Sequence, residues 1–94
     1  MVRNVYLEWK DKAIEDLLTI ISYIADDNIE AAQALKDTID ERLNDLLDYP
    51  QIYKAGRVKN TYEMVVHSNY IVVYTEDGDA ICILRILHAR QQWP

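Results

Sequence analysis

The sequence predicts an α+β domain of the order β-α-α-β-β-β, a helical hairpin packed on one face of a small twisted antiparallel sheet. Two amphipathic stripes at helical spacing fill the first half of the chain. Three runs rich in β-branched and aromatic residues, separated by turn-forming residues, fill the second. A short β-prone run precedes both halves and supplies one more strand.

That first run is Val5-Tyr6-Leu7. Ile14, Leu17, Leu18, Ile21 and Ile24 follow at helical spacing with Glu15, Asp16 and Ser22 between them, which predicts a helix from about Asp11 to Ala25. Asp27 with Glu30 fits a capping box for a second helix. Its apolar face is Ala32, Leu35, Ile39, Leu43 and Leu46, and Pro50 ends the pattern. Short Asp/Asn connections make the two an antiparallel hairpin whose joint stripe needs a flat partner. Thr61 to Val66, Tyr70 to Thr75 and Asp79 to Leu87 provide it as an antiparallel meander, turning at His67-Ser68-Asn69 and at Glu76-Asp77-Gly78. The first strand joins at an edge or beside the last strand. The helices then cover one sheet face and leave the opposite face for function.

Ninety-four residues support a single domain, 1–94, with one core. Half of them are apolar and glycine and proline number two each, so disorder is not expected. No apolar run approaches the roughly 20 residues that span a bilayer. Met1-Val2-Arg3-Asn4 lacks the apolar core of a signal peptide, so the cytoplasm is the expected compartment. Cys82 is alone within an apolar run, which excludes an internal disulfide and reads as a small buried hydrophobe. The net charge of −6 is uneven: residues 1 to 50 carry five Lys/Arg against twelve Asp/Glu, residues 51 to 94 five against four. The helical half, at −7, repels nucleic acid. Any phosphate-binding surface must draw on Lys54, Arg57, Lys59, Arg85 and Arg90.

Several polar residues interrupt apolar strands. Alternation places Arg85 on the face of Ile83 and Leu87, where a cation needs a partner or open water. Glu63 interrupts its strand likewise; a cross-strand Glu63–Arg85 ion pair is expected if the register sets them opposite, and this structural role is preferred to a catalytic one. His88 and Arg90 fall where the last strand runs out, a setting in which a histidine can move a proton while an arginine meets phosphate charge. His67 reads as a solvated turn residue. Two histidines without ligand spacing argue against a metal site, and no glycine-rich phosphate loop or nucleophile elbow is present, so neither metal nor cofactor is expected. Tyr23, Tyr70 and Tyr74 are assigned to the core or half-buried sheet, and Tyr49, Tyr53 and Tyr62 to exposed contact positions. Trp93 either folds back onto the sheet or inserts into a partner.

In order, Gly56-Arg57, Thr61-Tyr62-Glu63, Tyr70, Tyr74, Arg85, His88, Arg90 and Trp93-Pro94, following two helices, resemble the RelE/ParE superfamily of toxins from type II toxin–antitoxin modules. The resemblance covers nearly the whole chain. It implies a growth-inhibiting toxin of the kind found in plasmid-stabilisation modules, held inactive in a hetero-oligomer with a cognate antitoxin whose tail wraps it. The target-contacting or catalytic residues it implies are Arg57, Glu63, Arg85, His88, Arg90 and Trp93. Tyr62 stands where the pattern usually has arginine, and Asn60 where it has glycine. Members of the superfamily either poison DNA gyrase by contact, as ParE-like toxins do, or cut mRNA on the ribosome, as RelE-like interferases do. Ile71 stands where RelE-like enzymes carry an arginine, and their further C-terminal tyrosine is absent. The resemblance therefore favours DNA gyrase as target, with the endoribonuclease acting on ribosome-bound mRNA as the alternative. A toxin reduced to antitoxin binding, tied to Tyr62, is the third reading.

Overall fold

The computed structural model describes residues 4–49 and 54–93. Pro50, Tyr53 and Pro94, which the sequence reading used, lie outside them, as does the side chain of Lys54. The order is β1 (Tyr6–Trp9), α1 (Asp11–Asp27), α2 (Ile29–Asp48), β2 (Lys54–Ala55), β3 (Tyr62–His67), β4 (Tyr70–Asp77) and β5 (Ala80–His88). The strands form one sheet in the order β1-β5-β4-β3-β2. The meander β3-β4-β5 is antiparallel as expected, and β2 adds two antiparallel residues beyond β3. β1 takes the edge beside the last strand and runs parallel to it, with Tyr6 opposite Ala80 and Trp9 opposite Ile83, so the sheet is mixed.

α1 and α2 share one hinge residue. Asn28 closes α1 through its backbone N–H to the Ile24 carbonyl and opens α2 by accepting the Ala31 N–H on its side chain at 3.0 Å. The expected cap at Asp27 is therefore displaced by one residue, because α1 continues through Asp27 and asparagine caps as well as aspartate. α2 ends at Asp48, where the Tyr49 N–H bonds the Asp45 carbonyl. Leu35, Ile39, Leu43 and Leu46 of α2, with Ala13 of α1, pack on Met64, Val66, Val72, Tyr74, Ile81, Ile83 and Ile86 of the sheet. Leu17, Ile20, Ile21 and Ile24 complete the α1 side.

The last strand departs from simple alternation. Tyr74 pairs with Ile83 and Val73 with Arg85, leaving Leu84 as an extra residue in a bulge. Ile83 and Ile86, three positions apart, thus both reach the helical core, and the expected common face for Ile83, Arg85 and Leu87 is not formed. Two tyrosine assignments also change. Tyr23 is 78% exposed, because it lies off the face of α1 that carries Leu17, Ile20 and Ile24. Tyr62 packs against the core and stacks on Tyr74, with ring centroids 5.4 Å apart.

The sheet face away from the helices was expected to lie open. Of its apolar residues, Val65 is exposed, but Ile71, Val73 and Leu87 are buried. Among the described residues no helix is long and apolar enough to cross a membrane.

Candidate functional site

The polar residues singled out in the sequence collect into two clusters, one at the loop before β3 and one at the edge of β5 beside α1. The first belongs to the loop from Gly56 to Thr61 and the start of β3. Gly56 N–H donates to the Thr61 carbonyl at 2.7 Å, and the Thr61 hydroxyl donates to the Val58 carbonyl at 2.6 Å. A Cβ on Gly56 would come within 2.3 Å of the Thr61 hydroxyl oxygen, so the loop closes this tightly only with glycine there. Asn60 takes the left-handed conformation, φ 67°, and its carbonyl accepts the Thr75 hydroxyl at 2.8 Å. This closed loop aims the backbone N–H of Arg57 at Glu63.

Glu63 is 5% exposed. One carboxylate oxygen accepts the Arg57 backbone N–H at 2.8 Å and lies 3.4 Å from Arg57 Nε. A buried carboxylate is tolerable only when its charge is met this way. Arg57 Nη1 then donates to the Gln91 carbonyl at 3.0 Å. The backbone after β5 turns at His88–Gln91, where the Gln91 N–H bonds the His88 carbonyl and the Ala89 N–H bonds Asn69. The tail thereby returns across the sheet from β5 toward the β2–β3 loop, and Trp93 is partly buried.

The second cluster lies between α1 and the ends of β4 and β5. Pairing with β1 ends at Ile83, so β5 has a free edge beyond it, and Asp16 of α1 covers that edge. Asp16 accepts Arg85 Nε at 2.7 Å, Arg85 Nη2 at 3.2 Å and the Ile86 backbone N–H at 3.0 Å. The Asp16 hydrogen bond pushes the Arg85 pKa up, against a smaller opposing effect of burial. The expected Glu63–Arg85 pair is not formed. Glu63, Val73 and Arg85 do share one cross-strand row, but β4 stands between the two charged residues and each has a nearer partner.

Beside this ion pair is a groove of about 530 Å³ whose walls include Lys12, Asp16, Thr19 and Tyr23 of α1 and Tyr70, Arg85, His88 and Gln91. His88 is exposed and stands edge-on to Tyr70 at 5.7 Å. Its Nδ1 accepts the Arg90 backbone N–H at 3.2 Å, which leaves Nε2 to carry the proton of the neutral ring. Arg90 itself is exposed. His67 ends β3 and binds the Asn69 N–H through Nδ1 at 3.2 Å. On the outer sheet face the buried Cys82 thiol lies 3.4 Å from Glu8, and burial pushes its pKa up, aided by that carboxylate. Among the described residues no group of three or more His, Cys, Asp or Glu is placed to hold a metal ion.

The structure therefore joins Arg57 to Glu63 and sets Arg85 beside His88, but it does not gather all four. Asp16, Tyr23 and Gln91 were not singled out as site residues in the sequence. Asp16 lies 69 positions from its partner Arg85, and nothing local in α1 distinguishes it from a solvated helix acid.

The fold is a helical hairpin closed over a five-stranded mixed sheet, with polar groups gathered at the C-terminal strand end. Residues 7–93 match the family described as ParE toxin of type II toxin–antitoxin system, parDE, and the chain belongs to that family, within the RelE/ParE superfamily. A protein of Sinorhizobium fredii called "Putative toxin Y4kP" is 35% identical over 89 residues, 94% of this chain and 92% of its own length. Among solved structures, a chain of the chromosomal ParDE toxin–antitoxin system from P. aeruginosa superposes with a TM-score of 0.80 at 21% identity, covering 93% of this chain and 98% of that one. The isolated E. coli RelE toxin superposes with a TM-score of 0.67 at 15% identity, covering 94% and 87%. Those two likenesses concern the fold alone.

Proposed function

We propose that this ParE-family toxin arrests growth by docking on DNA gyrase, and that it is no ribonuclease. The observation that carries this reading is the commitment of its charged groups to one another. Cleaving RNA needs a proton-transfer group and a free cation converging on one phosphate. Here the Arg85 fork is held by both oxygens of Asp16, and the Arg57 head is divided between Glu63 and Gln91. His88 lines the groove on the helical side, whereas the Glu63 carboxylate is buried and engaged through Arg57. An acidic helical layer, −7 over residues 1 to 50, further opposes docking among ribosomal RNA. Contact inhibition asks only for a shaped surface, and the exposed His88 and Arg90 with the partly buried Trp93 supply one at the strand end. In cells a cognate antitoxin, encoded with the toxin, covers it and withholds it from its target.

The test is DNA supercoiling by purified gyrase in the presence of the purified chain. Inhibition is expected, with His88→Ala weakening it through a lost contact but not abolishing it, since the imidazole transfers no proton. Cleavage of mRNA on programmed ribosomes, abolished by His88→Ala, would overturn the gyrase reading in favour of the interferase.

A further inference from the structure

We infer that Glu63 is a positioning residue that acts through Arg57 to hold the C-terminal tail in its target-binding shape. This rests on the reading above, in which Arg90 and Trp93 belong to the contact surface. Glu63 is the one acidic residue among the buried polar side chains of the described chain. Among the described residues its cost of burial is met by Arg57, which it engages at both backbone and side chain.

The geometry makes a relay with two ends. Glu63 accepts the Arg57 backbone N–H at 2.8 Å and lies 3.4 Å from its Nε, which draws the guanidinium toward the sheet. Its remaining Nη1 is aimed at the Gln91 carbonyl at 3.0 Å, 34 positions away in sequence. Among the described residues this bond ties the tail, beyond the short turn at His88–Gln91, to the loop before β3. A guanidinium can serve two acceptors through separate nitrogens in a fixed plane; an ammonium cannot reproduce that fork. Gly56 and Thr61 hold the loop that carries Arg57, so the relay rests on a rigid base.

Trp93 reports the tail directly once Trp9, the other tryptophan, is replaced in a Trp9→Phe background. Two variants are compared in it: Glu63→Gln, which keeps an acceptor for the Arg57 N–H but loses the charge, and Arg57→Lys, which keeps the charge pair but loses the fork. Acrylamide quenching of Trp93 and the concentration inhibiting gyrase by half are read together, with near-native circular dichroism as the folding control. Both variants should raise quenching of Trp93 at least twofold and weaken inhibition about tenfold or more. Weakened inhibition with Trp93 still shielded, or a freed Trp93 with full potency, would overturn the inference, as would no change in either. If the Trp9→Phe parent inhibits nothing, the gyrase reading fails, while the quenching still decides whether Glu63 holds the tail.

Discussion

Asp16 is the residue on which the edge of β5 depends. It accepts three hydrogen bonds, two from Arg85 and one from the Ile86 backbone, along the edge of β5 that β1 no longer covers beyond Ile83. Removing it leaves a partly buried cation and an edge N–H without acceptors. Asp16→Ala should lower stability by about 2–3 kcal/mol, somewhat less than the 3–5 kcal/mol of a fully buried pair. Asp16→Asn should recover part of that, because its amide oxygen still accepts one of the donors; urea denaturation of the three proteins checks both. Equal losses in the two variants would mean that charge alone matters at this site. Glu63 and Asp16 also mark what a sequence can reveal. The Gly56-Arg57 and Thr61-x-Glu63 elements are legible as a motif, but their pairing was not: Glu63 was expected to meet Arg85 and instead meets Arg57, six positions away. The Asp16–Arg85 pair closes over 69 residues and depends on where α1 crosses the sheet, so only the need for a partner at Arg85 was visible.

At the scale of elements, apolar spacing located both helices and the three meander strands, because each buries one face against the same core. Local chemistry was less legible where two signals competed. Asp27 and Asn28 are both good caps, and the choice fell to Asn28 once α1 extended to include Asp27. Asn28→Ala should cost about 1 kcal/mol, through the lost Ala31 N–H bond. Asp27→Ala should cost less than half of that in the same thermal or urea titration; the reverse order would return the cap to Asp27. The bulge at Leu84 was hidden for a different reason. Ile83-Leu84-Arg85-Ile86-Leu87 offers apolar residues on either phase, so the pattern does not register a one-residue insertion. Its consequence is functional: it changes the phase of the strand just before His88, so that Ile86 faces the helices and Arg85 meets Asp16.

For the whole molecule, the two layers divide the work. The helical layer is strongly acidic and its buried stripe holds the fold, while the sheet end and returning tail carry the exposed His88 and Arg90 and the partly buried Trp93. An acidic toxin in which Arg57 and Arg85 are held by its own carboxylates is suited to a protein surface rather than to the phosphates of RNA. Membership of the ParE family places the chain in a toxin–antitoxin module; the pairing of Arg57 with Glu63 and of Arg85 with Asp16 is what supports the proposal of gyrase as target. The most direct test is induction of the chain in a bacterial host lacking antitoxin, with pulse-labelling of DNA and protein synthesis in the first minutes. Early arrest of DNA labelling with filamentation, while protein labelling continues, is the predicted result. Arrest of protein labelling first, or undisturbed growth with abundant folded protein, would contradict it.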